Sequence, residues 1–219
     1  VCQAAKAANR APAGVAEPLV LPPEPGDWWT IDFIDLPRSA NGHVHLLVCT
    51  ERVSKLVILT PLTEATALAV ANALVSEVFC WFGFPVGIVS DRGPAFQSAV
   101  FQEICNLLGI TLRHSTPHTP HSHGDVERQN RIVNDILRSL AAQRPEVRAQ
   151  WDRFAKIVQF YMNTAVVGRH GMSPLYLFFG RQPRSPAAVG LPASSLSPDS
   201  LEFVDSFRTR VQIARDLGR

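Results

Sequence analysis

The sequence predicts an α/β domain in which a mixed five-stranded sheet is flanked by helices. Three observations lead there. β-prone runs over 28–36, 43–50 and 55–60 follow one another with short connections. Helical and strand patterns then alternate through 64–114, and two amphipathic helical patterns follow at 125–142 and 151–165.

Each element has its own signal. The first strand carries Trp28-Trp29-Thr30-Ile31-Asp32-Phe33-Ile34. Asn41-Gly42 and Glu51-Arg52-Val53-Ser54 are short connections, so the first three strands read as an antiparallel meander. Over 64–82, Ala67, Val70, Ala71, Leu74, Val78 and Trp81 recur at helical spacing, with Thr63 to cap the start and Gly83 the end. Residues 86–90 form a short buried strand, closed by Asp91 and the turn Arg92-Gly93-Pro94. A helix over 98–108 has Ser98 as its cap and Phe101, Ile104, Cys105 and Leu108 on one face. Thr111 to His114 makes a last strand, and 115–124 a loop rich in His, Pro, Ser and Thr.

Helix 125–142 has Val126, Val133, Ile136, Leu137 and Leu140 as its apolar side, and helix 151–165 has Phe154, Ile157, Val158, Tyr161 and Met162. Pro174 suits the first position of a short helix between Ser173 and Gly180. This order of elements describes a ribonuclease H-like fold, one candidate among several α/β arrangements.

The chain has 219 residues, 46% hydrophobic and 18% charged, enough for one substantial domain with appended segments. Its net charge of +2 is too small to argue for nucleic acid unless the basic residues cluster. No apolar run reaches the roughly 18 residues of a membrane span, and the start has no signal-peptide pattern. Cys49, Cys80 and Cys105 lie in apolar contexts and read as buried free thiols in a reducing compartment. Cys2 alone is no metal site, unless it is the last ligand of a zinc module that precedes residue 1.

The chemistry rests on carboxylates in three contexts. Asp32 and Asp35 differ by three on one strand, so they face opposite sides and only one can serve a site. Asp91 ends a buried strand, the edge at which open α/β sheets hold their sites. Glu127 opens a helix, with Asp125 as a rival that does not share its face. Each has a bland reading: a solvent-facing strand residue, a turn aspartate, an acid favoured by the helix dipole. Together they suit two hard cations about 3.5–4 Å apart, which need carboxylates converging from separate elements. Arg131 and Asn134 lie on the Glu127 side of its helix, and Arg128 and Arg138 flank it. These form either a solvated charged face or donors to DNA phosphates. His118, His121 and His123 alternate with Pro and Ser without a zinc-ligand spacing, and read instead as a loop that touches DNA.

Taken as consecutive motifs, these segments resemble the integrase catalytic core of gypsy-type LTR retrotransposons and retroviruses. Trp29-Thr30-Ile31-Asp32-Phe33-Ile34-Asp35-Leu36-Pro37 is similar to the family's first-aspartate strand, which selects Asp32 over Asp35. Ile88-Val89-Ser90-Asp91-Arg92-Gly93-Pro94-Ala95-Phe96 resembles the second-aspartate motif. The stretch from Thr119 through Glu127 to Arg131 resembles the glutamate motif, and Tyr161-Met162-Asn163-Thr164 and Gly171-Met172-Ser173-Pro174 the closing segments. Two positions depart from the pattern: His121 stands where Gln is frequent, and His123 where Asp or Asn is. Neither is a metal ligand in the family, so the departures bear on DNA-end contacts.

The resemblance implies a domain plan. Residues 1–24 would be the remnant of an N-terminal zinc module with a Pro/Ala-rich lead-in, and 25–184 the catalytic core. Residues 185–219 would be a linker and an amphipathic helix (Leu201, Val204, Phe207, Val211, Ala214) leading to a C-terminal domain. It implies a polynucleotidyl transferase and endonuclease, excised from a polyprotein, that processes 3′ ends of element DNA and joins them to target DNA. Asp32, Asp91 and Glu127 would hold two Mg²⁺ or Mn²⁺ ions per site, with zinc confined to the missing N-terminal module. Implied partners are element-end DNA, target DNA, further copies of the chain as a dimer or higher oligomer, and host chromatin factors. No membrane is involved, and action is in the nucleus after assembly in cytoplasmic particles. Other ribonuclease H-like nucleases, DDE transposases and domesticated non-enzymatic binding modules would share part of this pattern.

Overall fold

A single sheet forms from β1 (Trp28–Asp35), β2 (His45–Glu51), β3 (Val57–Leu62), β4 (Gly87–Ser90) and β5 (Thr111–His114), in the order β3-β2-β1-β4-β5. The computed structural model describes residues 24–115, 128, 131–137, 149–166 and 171–181. β1, β2 and β3 pair antiparallel through short turns, whereas β4 joins β1, and β5 joins β4, in parallel after helical crossovers. The sheet is therefore mixed and five-stranded with flanking helices, as expected.

β2 and β3 begin about two residues later than the hydrophobic runs suggest, because turn bonds claim the flanking residues. The Ser39 N–H donates to the His43 carbonyl at 2.8 Å, and the Lys55 N–H to Glu51 at 3.0 Å with Lys55 at φ 65°. The fully buried Glu51 carboxylate secures the second turn by accepting from the Val53 and Ser54 N–H groups and from the Ser54 hydroxyl at 2.6 Å.

Strand alternation divides the core into two layers. Trp29, Ile31, Leu47, Cys49, Ile58 and Ile88 pack on one face against two helices, through Val70, Leu74, Val78, Phe101 and Cys105. Helix α1 runs from Ala67–Leu74 through a π-helical turn, Val75–Phe79, into Cys80–Phe82, and α3 is Ala99–Leu107. On the other face Ile34, Leu46, Val48, Val57 and Leu59 meet Val133, Ile136 and Leu137 of α4 (helical over 131–137). They also meet Trp151, Ala155, Val158 and Met162 of α5 (Trp151–Thr164).

Helix α1 corrects three sequence expectations. Its cap is Thr66, whose hydroxyl accepts from the Ala69 N–H at 3.2 Å, not Thr63. The π turn, closed by the Cys80 N–H donating to the Val75 carbonyl, adds a residue to the turn and advances the helical phase. Phe79 and Phe82 therefore face inward, while Trp81 is 76% exposed rather than on the core face. Cys80 is exposed for the same reason, so only Cys49 and Cys105 are the buried thiols expected. Burial pushes the Cys49 thiol up to about 12 and Cys105 to about 11, which keeps both protonated and inert. After Asp91, the segment read as a turn includes a short helix, α2 (Pro94–Gln97), with Pro94 in its first turn. Gly83 (φ 88°) and Ser98 end α1 and cap α3 as expected, and Ser173 caps α6 (Pro174–Phe179).

β3 is an edge strand, and α5 closes it with side-chain amides. Asn163 Oδ1 accepts from the Val57 N–H at 2.8 Å while its Nδ2 donates to the Val57 carbonyl at 2.7 Å; Gln159 accepts from the Leu59 N–H at 2.9 Å. Asn163 is 3% exposed, so its loss would strand two buried backbone groups. Asn163→Ala is expected to cost about 1–3 kcal/mol, read as a lower urea midpoint with an unchanged slope. An unchanged midpoint would show that these amide bonds do not hold the edge.

Candidate active site

Asp32 lies within β1, and Asp91 directly follows the last residue of β4. The two strands run parallel, with Ile31 opposite Ser90 as their last pair. Asp32 and Asp91 are therefore the next positions in register. Trp29, Ile31 and Ile88 occupy the α1 side, so the alternation turns Asp32 toward the α4 side, with Ile34, while Asp91 follows directly on from β4 beside it. Neighbouring strands lie about 4.8 Å apart, so carboxylates at two such adjacent positions are within reach of a common cation.

Local bonds orient each carboxylate. Asp32 is half-buried and its Oδ1 accepts from the Phe33 N–H at 2.8 Å. Asp91 is exposed, and its Oδ1 accepts from the Gly93 N–H at 2.8 Å, a turn that aspartate forms readily. A side chain at Gly93 would place its Cβ 3.0 Å from that oxygen and 3.4 Å from Phe96. Glycine here keeps space beside the carboxylate; its backbone angles are ordinary.

Asp35 stands on the opposite face of β1, 84% exposed, with its Oδ1 2.6 Å from His45 Nδ1. On α4, Val133, Ile136 and Leu137 bury against the sheet while Arg131 is exposed and Asn134 half-buried; Arg128 is helical and exposed. Glu127, its rival Asp125, His118, His121, His123 and Arg138 lie outside the described residues, as do 1–23 and 182–219. Among the described residues, no three His, Cys, Asp or Glu side chains gather as a metal site. The pair Asp32 and Asp91 nevertheless fits a hard divalent cation: both donors are anionic oxygens, the choice of Mg²⁺ and Mn²⁺ over softer ions.

The structure adds two residues that sequence reading did not single out. The Ser90 hydroxyl donates to the Asp91 carbonyl at 2.9 Å, and His114 Nδ1 lies 3.2 Å from both that carbonyl and the Ser90 oxygen. A histidine at the end of a strand was visible in the sequence, but its neighbour was set by the β4–β5 pairing.

Residues 22–120 match the family model of the integrase core domain. The chain is also 33% identical, over 184 residues, to the Gag-Pol polyprotein of baboon endogenous virus (strain M7). This chain belongs to the retroviral integrase superfamily. The alignment to that polyprotein covers 84% of the integrase chain but 10% of the polyprotein, so the chain corresponds to a small part of such a relative.

Solved integrases share the fold. The simian T-cell lymphotropic virus intasome in complex with PP2A regulatory subunit B56 gamma superposes with a TM-score of 0.61 at 24% identity, over 80% of this chain and 61% of that one. The HTLV-2 integrase catalytic core domain in complex with magnesium gives 0.55 at 25% identity, over 71% of this chain and 97% of that one. The mixed sheet of this integrase core is thus the ribonuclease H-like arrangement, of retroviral type.

Proposed function

We propose that this integrase core comes from an LTR retroelement of the gypsy type and inserts element DNA by 3′-end processing followed by strand transfer. The observation that carries the reading is the register of β1 on β4, which makes Asp32 and Asp91 the next positions after the last β1–β4 pair. Glu127, in the motif that resembles the family's third carboxylate, is the proposed third ligand. Mg²⁺ or Mn²⁺ ions, two per site, would supply Lewis-acid activation of the attacking oxygen and charge stabilisation at the departing one.

The chain's own groups perform the rest. Asp32 and Asp91 contribute anionic oxygens from the rigid sheet, and the Gly93 N–H keeps the Asp91 carboxylate turned. In processing, a water oxygen bonds to phosphorus near the element end and the 3′ oxygen leaves as the new hydroxyl. In joining, that hydroxyl attacks a target phosphodiester; one P–O bond forms as one breaks, so no external energy source is needed. Arg128, Arg131, Asn134 and Arg138, with His118, His121 and His123, are the proposed DNA contacts. Other partners are further copies of the chain and host chromatin factors, and the site of action is the nucleus, after assembly in cytoplasmic particles. The intasome and the magnesium complex among its structural relatives support this assignment by analogy.

The deciding experiment is a Mg²⁺-dependent joining assay with the full-length protein and its own element ends. Joined products that vanish with chelator support the reading; intact, folded protein that never cleaves or joins would refute it. Arg131→Ala supplies a separate check on DNA contact. Its exposed guanidinium should bind phosphate, so the variant is expected to weaken DNA binding evenly across sequences and flatten the log–log salt slope by about one unit. Loss confined to one sequence with an unchanged slope would assign Arg131 to base reading instead.

A further inference from the structure

Asp91 lies one residue past the last paired position of β4, so its carbonyl lies beyond the ladder. Its carbonyl oxygen is held by two side chains instead. Ser90, 1% exposed, donates its hydroxyl at 2.9 Å, and His114 Nδ1, from the end of β5, approaches to 3.2 Å. The Ser90 oxygen, its proton already committed, is 3.2 Å from the same ring nitrogen. With the Ser90 proton on the carbonyl, two acceptors face Nδ1, and the tautomer that carries hydrogen there satisfies both. A carbonyl has two acceptor positions, and Ser90 and His114 fill them. The peptide leaving Asp91 is clamped from the backbone side while the Gly93 N–H fixes Oδ1 from the side-chain side.

We propose that His114 is a positioning residue for Asp91: it donates from Nδ1 to the Asp91 carbonyl and so sets the angle at which the carboxylate meets a divalent cation. The inference rests on the reading of Asp91 as a metal ligand. Groups that orient a ligand typically change metal affinity by about 10- to 100-fold when removed. Acting through the backbone, His114 belongs at the lower end of that range.

The test is a Mn²⁺ titration of the 219-residue chain, following free ion by electron paramagnetic resonance, beside metal-free thermal unfolding. His114→Phe keeps a ring but loses the donor; His114→Asn keeps an N–H near the position of Nδ1. His114→Phe is expected to bind Mn²⁺ about tenfold more weakly and His114→Asn to recover most of that loss, with metal-free melting temperatures within a few degrees of the parent. Unchanged affinity in His114→Phe overturns the proposal, as does His114→Asn binding as weakly as His114→Phe. If His114→Phe does not fold, His114→Leu removes the same donor with a smaller side chain, and unchanged affinity there overturns it too. Asp91→Asn separates the two levels. If it binds Mn²⁺ like the parent, the ligand reading fails and this inference with it; if it loses binding while His114→Phe does not, only the inference fails.

Discussion

Asp32→Asn, Asp91→Asn and Glu127→Gln are each expected to reduce 3′-end cleavage and strand joining to background while the fold survives. Each change preserves side-chain shape and removes one negative charge. A neutral amide oxygen is a poor substitute where a hard cation needs both charge and geometry. Losing about 4 kcal/mol of transition-state stabilisation slows a step roughly 1000-fold, enough to erase products in a gel assay. Asp35→Asn is the internal control. It is exposed, on the opposite face, and bonded to His45, so activity should stay near the parent level. An inactive Asp35→Asn beside an active Asp32→Asn would mean that the other face of β1 serves the chemistry.

Asp152→Ala should produce the largest loss of stability. This carboxylate, 7% exposed at the start of α5, ties the β1–β2 connection to the helix. Its Oδ2 accepts from Asn41 Nδ2 at 2.8 Å and the Ser39 hydroxyl at 3.0 Å, and lies 2.7 Å from His43 Nδ1. Removing it leaves those donors without their acceptor beside the Ala40–Ala149 backbone bond and the Trp151 bond to the Pro37 carbonyl. The expected cost is about 2–4 kcal/mol, measured by urea unfolding with a normal slope.

The same network gives a pH signature. Burial alone would raise the Asp152 pKa, but donation from Asn41, His43, Ser39 and the Arg153 N–H outweighs it and holds the carboxyl below the ordinary carboxylate range. A lowered folded-state pKa means the stabilisation is present above the unfolded value. It disappears as pH falls through the folded one. The parent should therefore lose its advantage over Asp152→Ala in strong acid. A difference that does not change with pH would show that the carboxylate acts through packing alone.

Much of this integrase core was legible in short stretches of chain. Strand parity put Asp32 and Asp35 on opposite faces, because successive side chains on a strand alternate whatever the strand later pairs with, and the motif's resemblance chose between them. The runs for β1, β4 and α5, the cap Ser98, Pro174 in its helix's first turn and the stop at Gly83 were equally local. α1 shows where that legibility ends: one π turn, invisible in the apolar spacing, moved Trp81 and Cys80 to the surface.

Other features belong to no single stretch. Asp32 and Asp91 became neighbours only through the parallel pairing of β1 with β4. Ser90 and His114 met through the β4–β5 pairing, and Asn163 acquired its role from an edge strand more than 100 residues away. Periodicity reports which face of an element is apolar, since that depends on residues a few positions apart. Partners and register depend on which surfaces bury each other across the whole core. That choice is made by long-range packing, and the tertiary structure is where it can be read.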